Sequence, residues 1–172
     1  MCDLPKGIKG TRFSKNPPNS RRVTRPSHFG NIFKVAKTEN GKMWAVVTED
    51  KTGVEPRTTE YHRTTNKTEA QGVAVNYFNR WLNGEFSGLN DDKRDYILQN
   101  IESLKGVDLI CSCAMGTPCH RNTLILLANW ESEADFLEAY ITEAQRISED
   151  YACEILNCTS SELLTKLDDF DA

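Results

Sequence analysis

The spacing of apolar residues changes character along this chain, from irregular, to strand-like, to helical. Residues 1–22 carry no sustained apolar pattern. They are basic, broken by Gly7, Gly10 and Pro17-Pro18, and predict a mostly irregular arm. Arg22-Val23-Thr24-Arg25 has the composition of a short strand stopped by Pro26. Ser27 to Asn31 form a polar turn around Gly30, and Ile32–Val35 and Met43–Thr48 predict two strands separated by Glu39-Asn40-Gly41. Residues 49–67 are polar and rich in Thr, Lys and Arg, which predicts a long surface loop.

From Thr68 the period is helical. Ala70, Val73, Ala74, Tyr77, Phe78, Trp81 and Leu82 share one face of a helix over 68–82, with Gly84 beyond its end. Asn90 is placed to cap a second helix that buries Tyr96, Ile97, Ile101 and Leu104, closed by Lys105-Gly106. Val107 to Cys113 then suits the centre of a sheet. Thr117-Pro118 opens a further helix, with Thr117 as N-cap and proline at the first helical position, running to about Trp130. Acidic helices over 133–156 and 160–167 finish the chain.

This order predicts one α/β domain, a small central sheet flanked by helices, with a helical C-terminal extension. Its parts are a basic arm over 1–20, the α/β domain over 21–130 with a polar insertion near 49–67, and an acidic extension over 131–172. A chain of 172 residues suits a single domain. No stretch approaches the roughly 18 consecutive apolar residues of a spanning helix. The start, Met1-Cys2-Asp3-Leu4-Pro5, lacks the apolar run of a secretory signal. We expect a soluble, cytoplasmic protein with no membrane partner.

The net charge of −4 conceals two unlike halves. Residues 1–80 hold 15 Lys/Arg and 7 Asp/Glu, a balance of +8, and residues 81–172 hold 6 and 18, a balance of −12. The basic half could meet an anion, or the halves could attract each other within the fold.

Six cysteines occur, at positions 2, 111, 113, 119, 153 and 158. With no secretory signal expected, clustered cysteines point to metal or catalytic chemistry rather than a disulfide framework. Three of them lie in Cys111-Ser112-Cys113-Ala114-Met115-Gly116-Thr117-Pro118-Cys119-His120-Arg121. In α/β folds ligands sit beyond the carboxyl ends of strands and at the starts of the helices that follow. Thr117 and Arg121 are therefore candidates to hold an anion, Arg121 through its planar fork. Cys119 in a first helical turn beside a histidine is where a thiol pKa falls, so Cys119 and His120 are candidate catalytic groups. Cys111, Cys113, Cys119 and His120 also make up a Cys₃His zinc composition, in an unusual spacing and with two ligands adjacent on a helix turn. Cys153 and Cys158 read as small core residues.

The second constellation is Arg21 to Asn31. Arg22, Arg25, Ser27, His28 and Asn31 lie about a proline-stopped strand and could converge on a ligand, or could simply form a solvated basic loop.

Together the two segments resemble a named family. Arg25-Pro26-Ser27, Gly30-Asn31, Phe78, Trp81-Leu82, Leu104, Gly106, Leu109, Cys111, Cys113 and Pro118-Cys119-His120 are similar to the pattern of domain of unknown function 4326, across about residues 20–130. That family occurs in bacteria and bacteriophages. The chain departs from it in having Ile32 after Gly-Asn, Ser112 between the cysteines, and Arg121-Asn122 after Cys-His. Its Cys-His-Arg is similar instead to another uncharacterised family, domain of unknown function 488. The resemblance implies an α/β domain with both motifs facing one cleft, and no particular reaction.

The expectation that follows is an enzyme of nucleotide or nucleic-acid metabolism acting on a small phosphate- or sugar-bearing ligand. Arg22, Arg25, Ser27, His28, Asn31, Cys111, Cys113, Thr117 and Arg121 would bind it, and Cys119 and His120 would react with or polarise it. No cofactor is required, zinc being the one candidate. Two alternatives stay open, a non-enzymatic nucleotide binder or phage-encoded host-interaction protein, and a zinc-stapled module. The acidic C-terminal helices would suit a host protein or a second copy of the chain, and a long nucleic acid fits the −12 portion poorly.

Overall fold

The pattern resolves into real elements in a computed structural model that describes residues 5–11, 15–50 and 57–129. In chain order the described residues form β1 (Gly7–Lys9), β2 (Ser20–Arg22), β3 (Lys34–Lys37), β4 (Trp44–Asp50), β5 (Arg57–Thr64), α1 (Lys67–Leu82), α2 (Asp91–Asn100), β6 (Asp108–Cys111) and α3 (His120–Asn129). A 3-10 turn, Ile101–Leu104, joins α2 to the approach of β6. The expected single α/β domain is what these elements build. The acidic helices expected over 133–156 and 160–167 lie outside the described residues.

One small central sheet was the expectation, and the described residues form two sheets of three strands. The first is parallel, in the order β1-β6-β2, so β6 takes the central place its apolar run predicts. Leu109, Ile110 and Cys111 are all buried, as a parallel strand covered on both faces requires. Its flanks come from the segment expected to be irregular. Gly7, Ile8 and Lys9 pair with Leu109, Ile110 and Cys111, while Ser20, Arg21 and Arg22 pair with Asp108, Leu109 and Ile110. The arm is thus partly a sheet edge. Strand β2 stands two residues earlier than Arg22–Arg25, with Val23 adding one more bond from its N–H to the Ile110 carbonyl at 3.0 Å.

The second sheet is the antiparallel meander β3-β4-β5. Strand β3 begins at Lys34 rather than Ile32, because Asn31 Oδ1 takes the Phe33 N–H at 2.8 Å and holds 31–33 in a turn. Strand β5 replaces part of the loop expected over 49–67. It is a polar edge strand whose threonines and Tyr61 suit a pleated surface without an apolar stripe. A bulge between Val46 and Val47 leaves Tyr61 without a direct partner, since Val46 faces His62 and Val47 faces Glu60. Tyr61 packs edge-on against Phe33 and beside Tyr77, so the bulge turns it inward.

Helix α1 follows from its period. Ala70, Val73, Ala74, Phe78, Trp81 and Leu82 are buried and Tyr77 is half-buried. Asn66 caps its start, accepting from the N–H groups of Thr68 and Glu69. The helix lies across β3, β4 and β5 and also meets α2 and α3. Asn90 precedes α2 but does not cap it. Its backbone is left-handed, with φ of 52°, and its side chain makes no capping bond; Asp91 Oδ2 instead takes the Gly88 N–H at 2.9 Å. The core that unites both sheets includes Val23, Phe29, Phe33, Val46, Leu104, Leu109 and Leu124.

Candidate functional site

The loop from Thr24 to Phe33 closes tightly on itself. Its Arg25-Pro26 peptide bond is cis. The Ser27 N–H donates to the Thr24 carbonyl and the Gly30 N–H to the Ser27 carbonyl, each at 2.9 Å. Ser27 Oγ accepts the Phe29 N–H at 3.1 Å. A Cβ at Gly30 would lie 2.9 Å from the Arg25 backbone nitrogen, so a side chain there collides with the main chain. Phe29 plugs the core, and His28 stacks on Tyr96 of α2 with ring centroids 4.5 Å apart. Asn31 is buried, its Nδ2 donating to the Ala74 carbonyl at 2.9 Å. One end of that amide therefore ties the loop to α1, and the other, through the Phe33 N–H, holds the loop's own turn. Arg25 keeps part of its side chain in solvent, while Nη1 donates to the Asn31 and Phe33 carbonyls at 2.9 and 3.4 Å. Arg22 stands on β2 with Nη2 donating to Asn16 Oδ1 at 3.2 Å, an exposed contact apart from this loop.

The other half of the site begins where β6 ends. The strand stops at Cys111, two residues before the expected Cys113, yet the two sulfurs lie 3.6 Å apart. Gly116, with φ of 73°, turns the loop. Helix α3 starts at His120 rather than Pro118. Thr117 is correspondingly not its cap, and its Oγ1 donates to the Ala114 carbonyl at 2.8 Å. Because Cys119 precedes the helix, it escapes the rotation of about 100° that separates neighbours on a helix. Cys119 Sγ and His120 Nδ1 lie 4.0 Å apart, both buried. His120 Nε2 sits 3.0 Å from the Val23 carbonyl, which can only accept, so Nε2 carries the proton. The edge of Phe78 pins the other side of the ring at 5.4 Å. Ligand atoms of Cys111, Cys119 and His120 all fall within 4.8 Å of one another.

The family model described as Domain of unknown function (DUF4326) matches residues 8–130. The chain belongs to this family. Neither a curated protein nor a solved structure matches it. The family match starts at Ile8, within β1, and takes in both halves of the site and every described strand and helix beyond β1.

Within this family member, Arg121 is the least expected feature. It is only 2% exposed. Nη1 donates to the Ile8 carbonyl at 3.2 Å, Nη2 lies 3.2 Å from Met115 Sδ, and Nε has no partner. A Cβ at Gly7 would come within 2.6 Å of that Nε, so the glycine of β1 makes room for the guanidinium. Lys93 of α2 is the residue sequence patterning missed. Burial, with Arg25 beside it, lowers its pKa to about 8. Its signal was present, since Lys93 falls three and four residues before Tyr96 and Ile97 on the packed face of α2.

Arg25 and Arg121 thus approach the thiols, with Lys93 beside Arg25. Burial lowers the Arg25 pKa, opposed by the Cys111 and Cys113 sulfurs, and the Cys113 thiol is raised by its hydrogen bond with Cys111, which Arg121 offsets only in part. No carboxylate lies within ion-pair distance of Arg25, Lys93 or Arg121 among the described residues. The thiols themselves share protons. Hydrogen bonds from Cys113 and Cys119 push Cys111 down, and the sharing with Cys111 pushes Cys113 and Cys119 up. A lowered thiol was expected at Cys119, and it falls at Cys111, because Cys119 is buried and is a donor in this cluster. Ser27, His28, Asn31 and Thr117 make the local contacts described above, whereas Arg25, Cys111, Cys113, Cys119, His120 and Arg121 are brought together.

Proposed function

We propose that the chain is an enzyme of nucleotide metabolism that binds a small phosphate-bearing ligand at the junction of the Arg25 loop, Lys93 and the Cys111–Arg121 segment. One observation carries this. Arg25 and Arg121 lie near the thiol–histidine cluster and Lys93 lies beside Arg25; among the described residues none of the three has a carboxylate within ion-pair distance, and partly buried positive charge is costly unless an anion balances it. Arg25 offers a planar fork and Lys93 a point charge, with the buried guanidinium of Arg121 adding positive charge behind the thiols, a mixture suited to phosphate oxygens. The cysteine–histidine cluster would supply the reacting or polarising groups. A small ligand fits better than a polynucleotide, since residues 81–172 carry −12.

Calorimetric titration of the full chain with nucleoside mono-, di- and triphosphates, followed by product analysis, is the test. Saturable binding with turnover is expected. Binding without any product would leave a nucleotide-sequestering protein, and no binding at all would end the proposal. No helix of the described residues is long and apolar enough to cross a membrane.

A further inference from the structure

We infer that Cys111, Cys119 and His120, with Cys113 as fourth ligand, hold a zinc ion. The inference does not rest on the nucleotide proposal, and with all four donors on the metal it gives the cluster a metal-holding role in place of a free reacting thiol. Sulfur and imidazole ligands in a four-donor set are the composition that zinc takes, with metal–sulfur and metal–nitrogen distances of about 2.3 and 2.0–2.1 Å. Donors at such distances stand roughly 3.5–4 Å from one another in a tetrahedron. The Cys111–Cys113 sulfur separation of 3.6 Å and the Cys119–His120 separation of 4.0 Å lie in that range. Cys111, Cys119 and His120 already fall within 4.8 Å of one another, and Cys113, which that group leaves out, has to swing in from its place beside Cys111 to complete the set.

The histidine is the more telling group. An imidazole lone pair among three sulfurs gives the cluster the nitrogen donor of a Cys₃His zinc set. Here Nε2–H is donated to the Val23 carbonyl, which in the neutral ring leaves the Nδ1 lone pair facing Cys119. Metal-bound histidines are held in this way, the distal N–H given to a carbonyl or carboxylate that fixes tautomer and ring plane. Phe78 fixes the plane from a second side. The objection that adjacent residues cannot share one metal is removed by the late start of α3, which leaves Cys119 outside the helix.

Charge is consistent as well. Three thiolates and one zinc carry a single net negative charge, which would face Arg121 and Arg25. The three cations of the site exceed it by two, so an anionic ligand still has a place.

The test is elemental analysis of the full chain purified without chelator, together with cobalt substitution. We expect about one zinc per chain, and a thiolate-to-cobalt charge-transfer band when cobalt replaces it. Cys111→Ser, Cys119→Ser and His120→Gln should each lose stoichiometric metal, while the triple substitution Cys2→Ser, Cys153→Ser and Cys158→Ser should keep it. If a single variant fails to fold, metal release from the wild-type chain by a mercurial, followed with a zinc-sensitive dye, still reports thiolate ligation. A folded, metal-free wild-type chain that takes up neither zinc nor cobalt overturns the inference. So does zinc that persists in all three cluster variants, or that is lost from the triple variant. Nucleotide binding is measured separately, so failure of either proposal is visible without the other.

Discussion

At the scale of single residues, the site is a problem of unbalanced charge. Lys93 illustrates it, because burial and the neighbouring Arg25 lower its pKa to about 8 from the 10.5 of a free lysine. Below about 8 the ammonium is present and can meet a phosphate; above it the charge is lost. Nucleotide affinity should therefore weaken as pH rises through about 8, and Lys93→Met should remove that step. At neutral pH the same variant should bind roughly 10- to 100-fold more weakly, the value of a charged hydrogen bond. Calorimetry across pH checks both. Stability has the opposite sign. Between about 8 and 10.5 the unfolded chain holds a proton that the folded chain has released, so the wild-type fold gains stability with rising pH relative to Lys93→Met. Urea midpoints of the two proteins at pH 7.5 and 9.5, both values taken roughly either side of the titration, would show the gap closing.

At the scale of elements, two asparagines that look alike in sequence separate in structure. Asn66 accepts two N–H groups at the start of α1, so Asn66→Ala should cost about 1 kcal/mol. Asn90 makes no capping bond and has a left-handed backbone, so Asn90→Gly should alter stability by no more than a few tenths of a kcal/mol. Urea unfolding distinguishes them, and equal costs would contradict the assignment. The Arg25 loop gives a sharper case. Gly30→Ala places a methyl against the Arg25 main chain and should cost roughly 1–3 kcal/mol while displacing Arg25 and weakening nucleotide binding. Legibility follows the same physics. Helix α1 was readable because its apolar face repeats over four turns, and the middle of β6 because a buried parallel strand is apolar throughout. Strand β5 was not, since an edge strand needs no apolar stripe, and β1 is only three residues long. Turns displaced the ends of β3 and α3, where Asn31 and Thr117 spend their side chains locally.

At the scale of the whole molecule, the charge asymmetry becomes spatial. The basic half supplies Arg25, and β1 supplies Gly7 and the Ile8 carbonyl that hold Arg121. The acidic half contributes Lys93 and Arg121 as local exceptions to its own balance. The cysteine–histidine cluster was visible in sequence because its members are nearly contiguous. Of the cations, Arg25 and Arg121 were expected to meet one ligand and Lys93 was not, because a lone lysine on α2 carries no motif in the sequence. The −12 of residues 81–172 should also keep the chain from binding duplex DNA at physiological salt, which a mobility-shift titration would check. The central claim is that Arg25, Lys93 and Arg121 together hold a phosphate-bearing ligand. Its most direct test is calorimetric titration at neutral pH of the wild-type chain and the Arg25→Met, Lys93→Met double variant against the same nucleotide panel. Saturable one-to-one binding that the double variant loses is the predicted result; no heat of binding in the wild type, or equal affinity in both proteins, would contradict it.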